Sequence, residues 1–269
     1  MSIGARELVS SATLDGLCCE LLIERSRLLA LIRGHGALDV KAPGDGGPEL
    51  LPVICELWHV TDGRSLFGGL EPERVFEQLA GVASAFLGPG ADSVRALSRL
   101  FALGPYHECL VAVPNVLREP RGQRHALVLA MITDNPLALS IDRSFGYGYR
   151  KRLGRFDFED RRRFAVSVER EPLVLGELAE AEAALAEPER AWLEDYWAQP
   201  LLGRLGPGDF RRSWLERRLS APEARASRLG SSVVLSPELG LGGERVHGRA
   251  VSFSRVPTRI SLPRRLSTA

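Results

Sequence analysis

Lysine is nearly missing from this chain of 269 residues: of its 35 lysines and arginines, only Lys41 and Lys151 are lysines. Both cations solvate a surface, so a chain this rich in arginine has little need of lysine there. Arginine does not lose its proton and cannot serve as a nucleophile, whereas lysine can. Lys41 lies in the turn-rich stretch Lys41-Ala42-Pro43-Gly44-Asp45-Gly46-Gly47-Pro48 and reads as a solvated cation. Lys151 sits in Tyr149-Arg150-Lys151-Arg152-Leu153, where flanking positive charge disfavours the ammonium form. The residues alone leave two readings of Lys151: a site of covalent chemistry, or a leftover cation in a basic run.

Other absences narrow the class. Cys18, Cys19, Cys55 and Cys109 form no CxxC pair and no disulfide framework, which fits a reducing compartment. No apolar run reaches the about 20 residues that a membrane-spanning helix needs. The N-terminus lacks the basic and apolar regions of a signal peptide. Net charge is only +1, and the arginine pairs and triplets are offset by nearby acids, so no nucleic-acid surface is expected. The five histidines show no i, i+4 pairing and no clustering with cysteine, so no metal site is expected. No Gly-x-Ser-x-Gly elbow exists. These absences point to a cytoplasmic protein with neither a nucleic-acid nor a membrane partner.

Short strands dominate the pattern. Strands are expected at 51–60, 107–116, 125–132, 156–158, 163–169, 210–219, 231–236 and 250–256, from alternating or continuous β-branched and aromatic residues. Helical spacing appears at 72–86 and at 177–197. Residues 5–33 fit one or two helices, or a helix leading into a strand. The glycines of Ser144-Phe145-Gly146-Tyr147-Gly148-Tyr149 call for a tight bend just before Lys151. No repeat or linker is visible, so one domain over 1–269 is expected, with 1–49 open to a helical extension. Strands without regular βαβ alternation indicate a mainly β fold, an antiparallel sheet or barrel with peripheral helices.

Within the strand beginning Tyr106-His107-Glu108-Cys109, Glu108 opens an otherwise apolar run. Its carboxylate either points into a low-dielectric interior, where it needs a partner, or sits at an edge facing water.

The order of these segments resembles the acetoacetate decarboxylase family over about residues 104–156. Tyr106-His107-Glu108 is similar to the family's Tyr-x-Glu. Asp134-Asn135-Pro136-Leu137-Ala138 is similar to its Asp-Asn-x-x-Ala, and Asp142-Arg143-Ser144 falls where Gly-Arg-Glu is usual. Tyr149 to Gly154 falls on Tyr-Pro-Lys-Lys-Leu-Gly, with one extra residue between Arg143 and Lys151. The resemblance implies an antiparallel β-barrel or cone-like sheet with peripheral helices. It makes Lys151 the Schiff-base lysine and turns Glu108, beside Tyr106, toward the active site to position substrate or carry a proton. Arg152 would supply the neighbouring positive charge in place of the second lysine. Arg143 would support the pocket or bind a carboxylate, a structural ion pair being the alternative. The implied activity is decarboxylation of a small keto acid through a lysine iminium, with no cofactor and with homo-oligomers. An aldolase-dehydratase on pyruvate-type substrates and a non-catalytic small-molecule binder are the alternatives. Three departures bear on the substrate: Arg152 replaces lysine, Arg150 replaces proline, and Ser144 replaces glutamate.

Overall fold

Residues 8–34, where the pattern allows helix before strand, form the two elements in the opposite order: a long strand comes first and a helix follows. The computed structural model describes residues 8–34, 39–40, 49–61, 63–65, 102–103, 105–118, 122–136, 138–139, 146–159, 162–178, 183–206, 208–219, 225–241, 243 and 245–266. The expected helix at 72–86 and the residues Lys41, Asp142, Arg143 and Ser144 lie outside the described residues.

The strands are β1 (Leu8–Glu24), β2 (Asp39–Val40), β3 (Leu50–Val60), β4 (Gly63–Ser65), β5 (Ala102–Leu103), β6 (Tyr106–Leu117), β7 (His125–Thr133), β8 (Lys151–Leu153), β9 (Arg155–Glu159), β10 (Arg163–Val168), β11 (Glu171–Leu178), β12 (Ala183–Ala184), β13 (Leu201–Gly206), β14 (Asp209–Ser213), β15 (Leu215–Arg217), β16 (Arg225–Leu235), β17 (Arg245–Ser261) and β18 (Arg264–Arg265). Among the described residues the α-helices are α1 (Arg25–Gly34) and α2 (Glu187–Trp197). Strand makes up 64%, so the fold is mainly β.

β1 is no helical extension. It lies between β17 and β3, antiparallel to both. Leu17, Cys19, Leu21 and Ile23 enter one core, while Leu14 and Cys18 enter the core on the other face. Leu17, Cys18 and Cys19 are buried in succession, which interrupts the alternation that marks a half-exposed strand and makes the sequence read ambiguously.

From β9 the ladder runs through β10, β11, β16, β17, β1, β3 and β6 to β7, all antiparallel. The sheet is nonetheless mixed rather than antiparallel throughout. β13 and β8 both pair with β7 in parallel, at its two ends. Every residue of β7 is buried, the pattern expected of a strand with parallel neighbours and covered faces. The whole curls into a half-barrel. β8 passes into β9 through Gly154 alone, whose N–H donates to Thr133 O at 2.9 Å. A Cβ at Gly154 would lie 2.3 Å from Ile132 Cγ2 and 2.7 Å from Ser167 O, so only glycine permits this crossing.

α2 begins ten residues later than the helical spacing suggests. β11 runs on to Leu178, β12 intervenes, and Pro188 falls in the first turn, where its missing N–H costs nothing. Ala186 N–H donates to Glu189 Oε2 at 2.9 Å, closing that turn. Leu193, Tyr196 and Trp197 then pack into the core. All four cysteines are buried, and none is in a disulfide. Burial, followed by the charge of Glu56, pushes the Cys18 thiol up; a hydrogen bond with Cys109, followed by burial, does so for Cys55. No helix among the described residues is long and apolar enough to cross a membrane.

Candidate active site

Glu108 and Lys151 reach one another from strands on either side of β7. In the β3–β6–β7 ladder, Glu108 stands opposite Trp58 on one side and Thr133 on the other. The parallel register of β8 sets Lys151 beside Met131 of β7. Lys151 Nζ donates to Glu108 Oε1, and the two side chains are only 8% and 5% exposed. This is a buried ion pair, and each partner compensates the desolvation of the other.

The segment between β7 and β8 shapes the surroundings. Asp134 Oδ1 accepts the backbone N–H of His107 at 2.8 Å, tying the loop to β6 one residue before Glu108. Its Oδ2 lies 2.9 Å from His107 Nδ1 on the opposite face of the sheet. Thr133 Oγ1 accepts Asn135 N–H, and Asn135 Oδ1 accepts Ala138 N–H, each at 3.1 Å. These contacts make a helical turn that brings Ala138 to the pocket wall. The predicted bend is present: Gly146 and Gly148 have φ of 66° and 76°. A Cβ on Gly148 would lie 2.8 Å from Arg204 N, whose N–H donates to Gly148 O at 2.8 Å. This backbone aims Tyr147 and Tyr149 at the pocket, with ring centroids 5.3 Å apart. Tyr147 OH donates to Ser261 O at 2.8 Å, and the Tyr149 hydroxyl pairs with Ser213 Oγ.

The resulting cavity holds about 50 Å³. Lys151, Glu108, Trp58 and the two tyrosines line it, and Met131, Leu201, Leu215 and Ile260 are among its apolar walls. Two larger open grooves, about 520 and 440 Å³, reach neither Glu108 nor Lys151. They are roomier but lack a lysine, so the small cavity is the candidate site.

Behind Trp58 lies a second buried ion pair. Arg217 Nη1 donates to both oxygens of Glu56, at 2.7 and 2.8 Å, with side chains 1% and 0% exposed. Trp197 Nε1 donates to Glu56 Oε1 at 2.9 Å and Tyr196 OH to Oε2 at 3.4 Å. The guanidinium sits 4.5 Å from the Trp197 ring centroid and 5.7 Å from that of Trp58. Burial and the Glu56 charge push the Tyr196 phenol up, so it remains a donor.

The residues singled out by sequence thus divide. Glu108 and Lys151 meet. Tyr106 shares the buried face of Glu108 without lining the cavity; burial, then the charges of Glu108 and Asp134, push its phenol up. Arg152 does not join them. Side chains alternate across a strand, so Arg152 leaves from the face opposite Lys151 and pairs with Glu238 at 2.8 Å near the surface. The expectation that it supplies charge inside the pocket is therefore corrected. Trp58, Glu56 and Arg217 were not singled out. Glu56 sits in an apolar strand, the signal that drew attention to Glu108, but its partner lies 161 residues away.

No protein-family model matches the chain, and no curated protein does. Solved structures do. An acetoacetate decarboxylase is 12% identical, with a TM-score of 0.62 over 96% of this chain and 89% of that one. The acetoacetate decarboxylase of Legionella pneumophila is 10% identical, with a TM-score of 0.61 over 99% and 91%. The enduracididine biosynthesis enzyme MppR, in complex with the condensation product of pyruvate and imidazole 4-carboxaldehyde, is 12% identical, with a TM-score of 0.57 over 96% and 89%. At such identities the likeness is one of fold. The chain has the fold of the acetoacetate decarboxylase-like superfamily.

Proposed function

We propose that the protein is a Schiff-base-forming lyase for a small keto acid, with Lys151 as nucleophile and Glu108 as its proton partner. The observation that carries this reading is the buried Lys151–Glu108 contact in the wall of a small, largely apolar cavity.

Attack requires the amine lone pair, so the proton on Nζ must leave first, and Glu108 Oε1 is the atom in contact that can take it. Neutral Nζ adds to the ketone carbon. The former carbonyl oxygen takes up protons and departs as water, leaving an iminium. In a β-keto acid the iminium draws in the electron pair of the bond to the carboxylate. Carbon dioxide leaves, and an enamine remains. Return of a proton to carbon and hydrolysis of the iminium release the ketone and the amine. The iminium is the electron sink, so the reading needs no cofactor. The apolar walls disfavour the carboxylate charge but not neutral carbon dioxide. At about 50 Å³ the cavity is small, which suits a small substrate.

A second reading is favoured by the MppR complex, which shares the fold. There the same lysine would form an iminium with pyruvate, which loses a methyl proton to give an enamine that condenses with an aldehyde. A binding protein in which the Lys151–Glu108 pair never opens is the rival outside catalysis, and the closed pair suits it as well.

Carbon-13 NMR separates them, using labelled acetoacetate in one sample and labelled pyruvate with an aldehyde in another. Acetone and carbon dioxide from the first, lost in Lys151→Arg, support the decarboxylase. A condensation product without carbon dioxide replaces it with the second reading. No turnover and no covalent adduct across a keto-acid panel leaves the binder.

A further inference from the structure

We infer that the indole N–H of Trp58 receives a carboxylate oxygen of the keto acid and is the specificity-determining donor of the Lys151 pocket. The inference rests on the Schiff-base reading and adds to it the group that recognises the substrate's charge.

Trp58 is 3% exposed, lines the same cavity as Lys151 and stands directly opposite Glu108 across the β3–β6 ladder. Its Nε1 is buried and has no acceptor among the described residues. A buried N–H without an acceptor is uncommon in folded proteins and calls for a partner. The neighbouring Trp197 obeys the usual rule, its Nε1 donating to Glu56 Oε1.

Among the described residues no group around Trp58 accepts a hydrogen bond from its Nε1. The Arg217 guanidinium over its ring carries donors only and already serves both oxygens of Glu56. The hydroxyls of Tyr147 and Tyr149 are engaged with Ser261 O and Ser213 Oγ. Glu108 Oε1 accepts from Lys151, and neither Glu108 oxygen accepts from Trp58. What remains of the wall is apolar: Met131, Ala138, Leu201, Leu215 and Ile260. A ligand in the cavity can bring the acceptor that these groups do not provide.

Among the residues lining the cavity, Lys151 and Trp58 are the side chains with N–H donors. Lys151 is consumed by the ketone in forming the iminium. A second polar atom on the substrate then has Trp58 to meet, and in a keto acid that atom is a carboxylate oxygen. One neutral N–H orients the carboxylate without the paired grip of an arginine fork.

Trp58→Phe removes the N–H and keeps a flat aromatic side chain. Borohydride trapping at Lys151, followed against concentration, is compared for pyruvate and for acetone, which lacks the carboxylate. The half-saturating concentration of pyruvate should rise about tenfold to a hundredfold in Trp58→Phe, the worth of a hydrogen bond to a charged acceptor, while that of acetone should move by less than about twofold. Equal shifts for both, or none for either, overturn the assignment while leaving Lys151 chemistry intact. Wild type that traps neither ligand overturns the Schiff-base reading and the assignment with it. Wild-type protein labelled with nitrogen-15 at the indoles gives a readout independent of the variant's folding. The Trp58 indole proton should move downfield with pyruvate and stay in place with acetone. A Trp58 signal unmoved by pyruvate overturns the assignment.

Discussion

Replacing Lys151 with methionine removes the cation while keeping an unbranched side chain of similar reach. Glu108, whose side chain is 5% exposed, then faces Met131, Ala138 and Leu215 without its partner. Breaking a buried pair from one side costs about 3–5 kcal/mol, because the remaining charge stays buried and uncompensated. The adjoining cavity of about 50 Å³ can admit a water or two, which places the loss near the lower end, about 3 kcal/mol. At roughly 2–4 °C per kcal/mol for a chain of this size, the midpoint should fall by roughly 6–12 °C. The double variant Lys151→Met with Glu108→Leu removes both charges and should recover most of that stability, since apolar groups of similar volume replace buried pairs at little cost. Urea unfolding followed by tryptophan fluorescence measures stability, and borohydride trapping measures chemistry. Both variants should give no adduct, so stability returns in the double variant and activity does not. A single variant that loses less than about 1 kcal/mol, or a double variant no more stable than the single, would refute this reasoning.

Three further predictions follow from the same geometry. Arg217→Met leaves Glu56 without its cationic partner while Trp197 and Tyr196 still donate to it, and should cost about 3–5 kcal/mol in urea; a loss under about 1 kcal/mol contradicts it. Burial, then the Arg212 charge, push the pKa of His125 below its ordinary 6.5, and the nearby backbone of Gln123 and Val116 opposes this without reversing it. The unfolded chain therefore binds this proton more readily than the fold does. The His125 contribution is complete above about pH 6.5 and is lost as pH falls through that value toward the lower folded-state pKa. His125→Gln should flatten the stability difference between about pH 7.5 and about pH 5.5, and an unchanged slope refutes the assignment. Arg152→Ala, which removes a partly exposed pair with Glu238, should cost at most about 1 kcal/mol and leave the trapping rate at Lys151 unchanged; a large loss of rate would place Arg152 in the pocket after all.

What could be read from the residues was what depends on neighbours in the chain. A lone lysine in an arginine-rich sequence, a glutamate in an apolar strand and two glycines before the lysine each drew attention locally, and the fold puts Lys151 and Glu108 in contact beyond the Gly146–Gly148 bend. Arg150-Lys151-Arg152 reads as one block of charge, yet in a strand adjacent residues face opposite sides, and Arg152 leaves for Glu238. β1 hid its strand character because Leu17, Cys18 and Cys19 are buried in succession, and Pro188 concealed the true start of α2 by marking the first turn of a shorter helix. The parallel pairing of β13 with β7 joins segments far apart in sequence, with α2 between them, and no local pattern announces it. Glu56 and Arg217 are separated in the same way, and the open donor of Trp58 becomes visible only once its neighbours are in place.

The measurement that bears most directly on the central claim is borohydride reduction of the wild-type protein with acetoacetate and with pyruvate, followed by peptide mass spectrometry. The account predicts a substrate-dependent reduced adduct on the peptide containing Lys151, absent without keto acid and absent in folded Lys151→Arg. Folded wild-type protein that carries no adduct at Lys151 with any member of a keto-acid panel would contradict it.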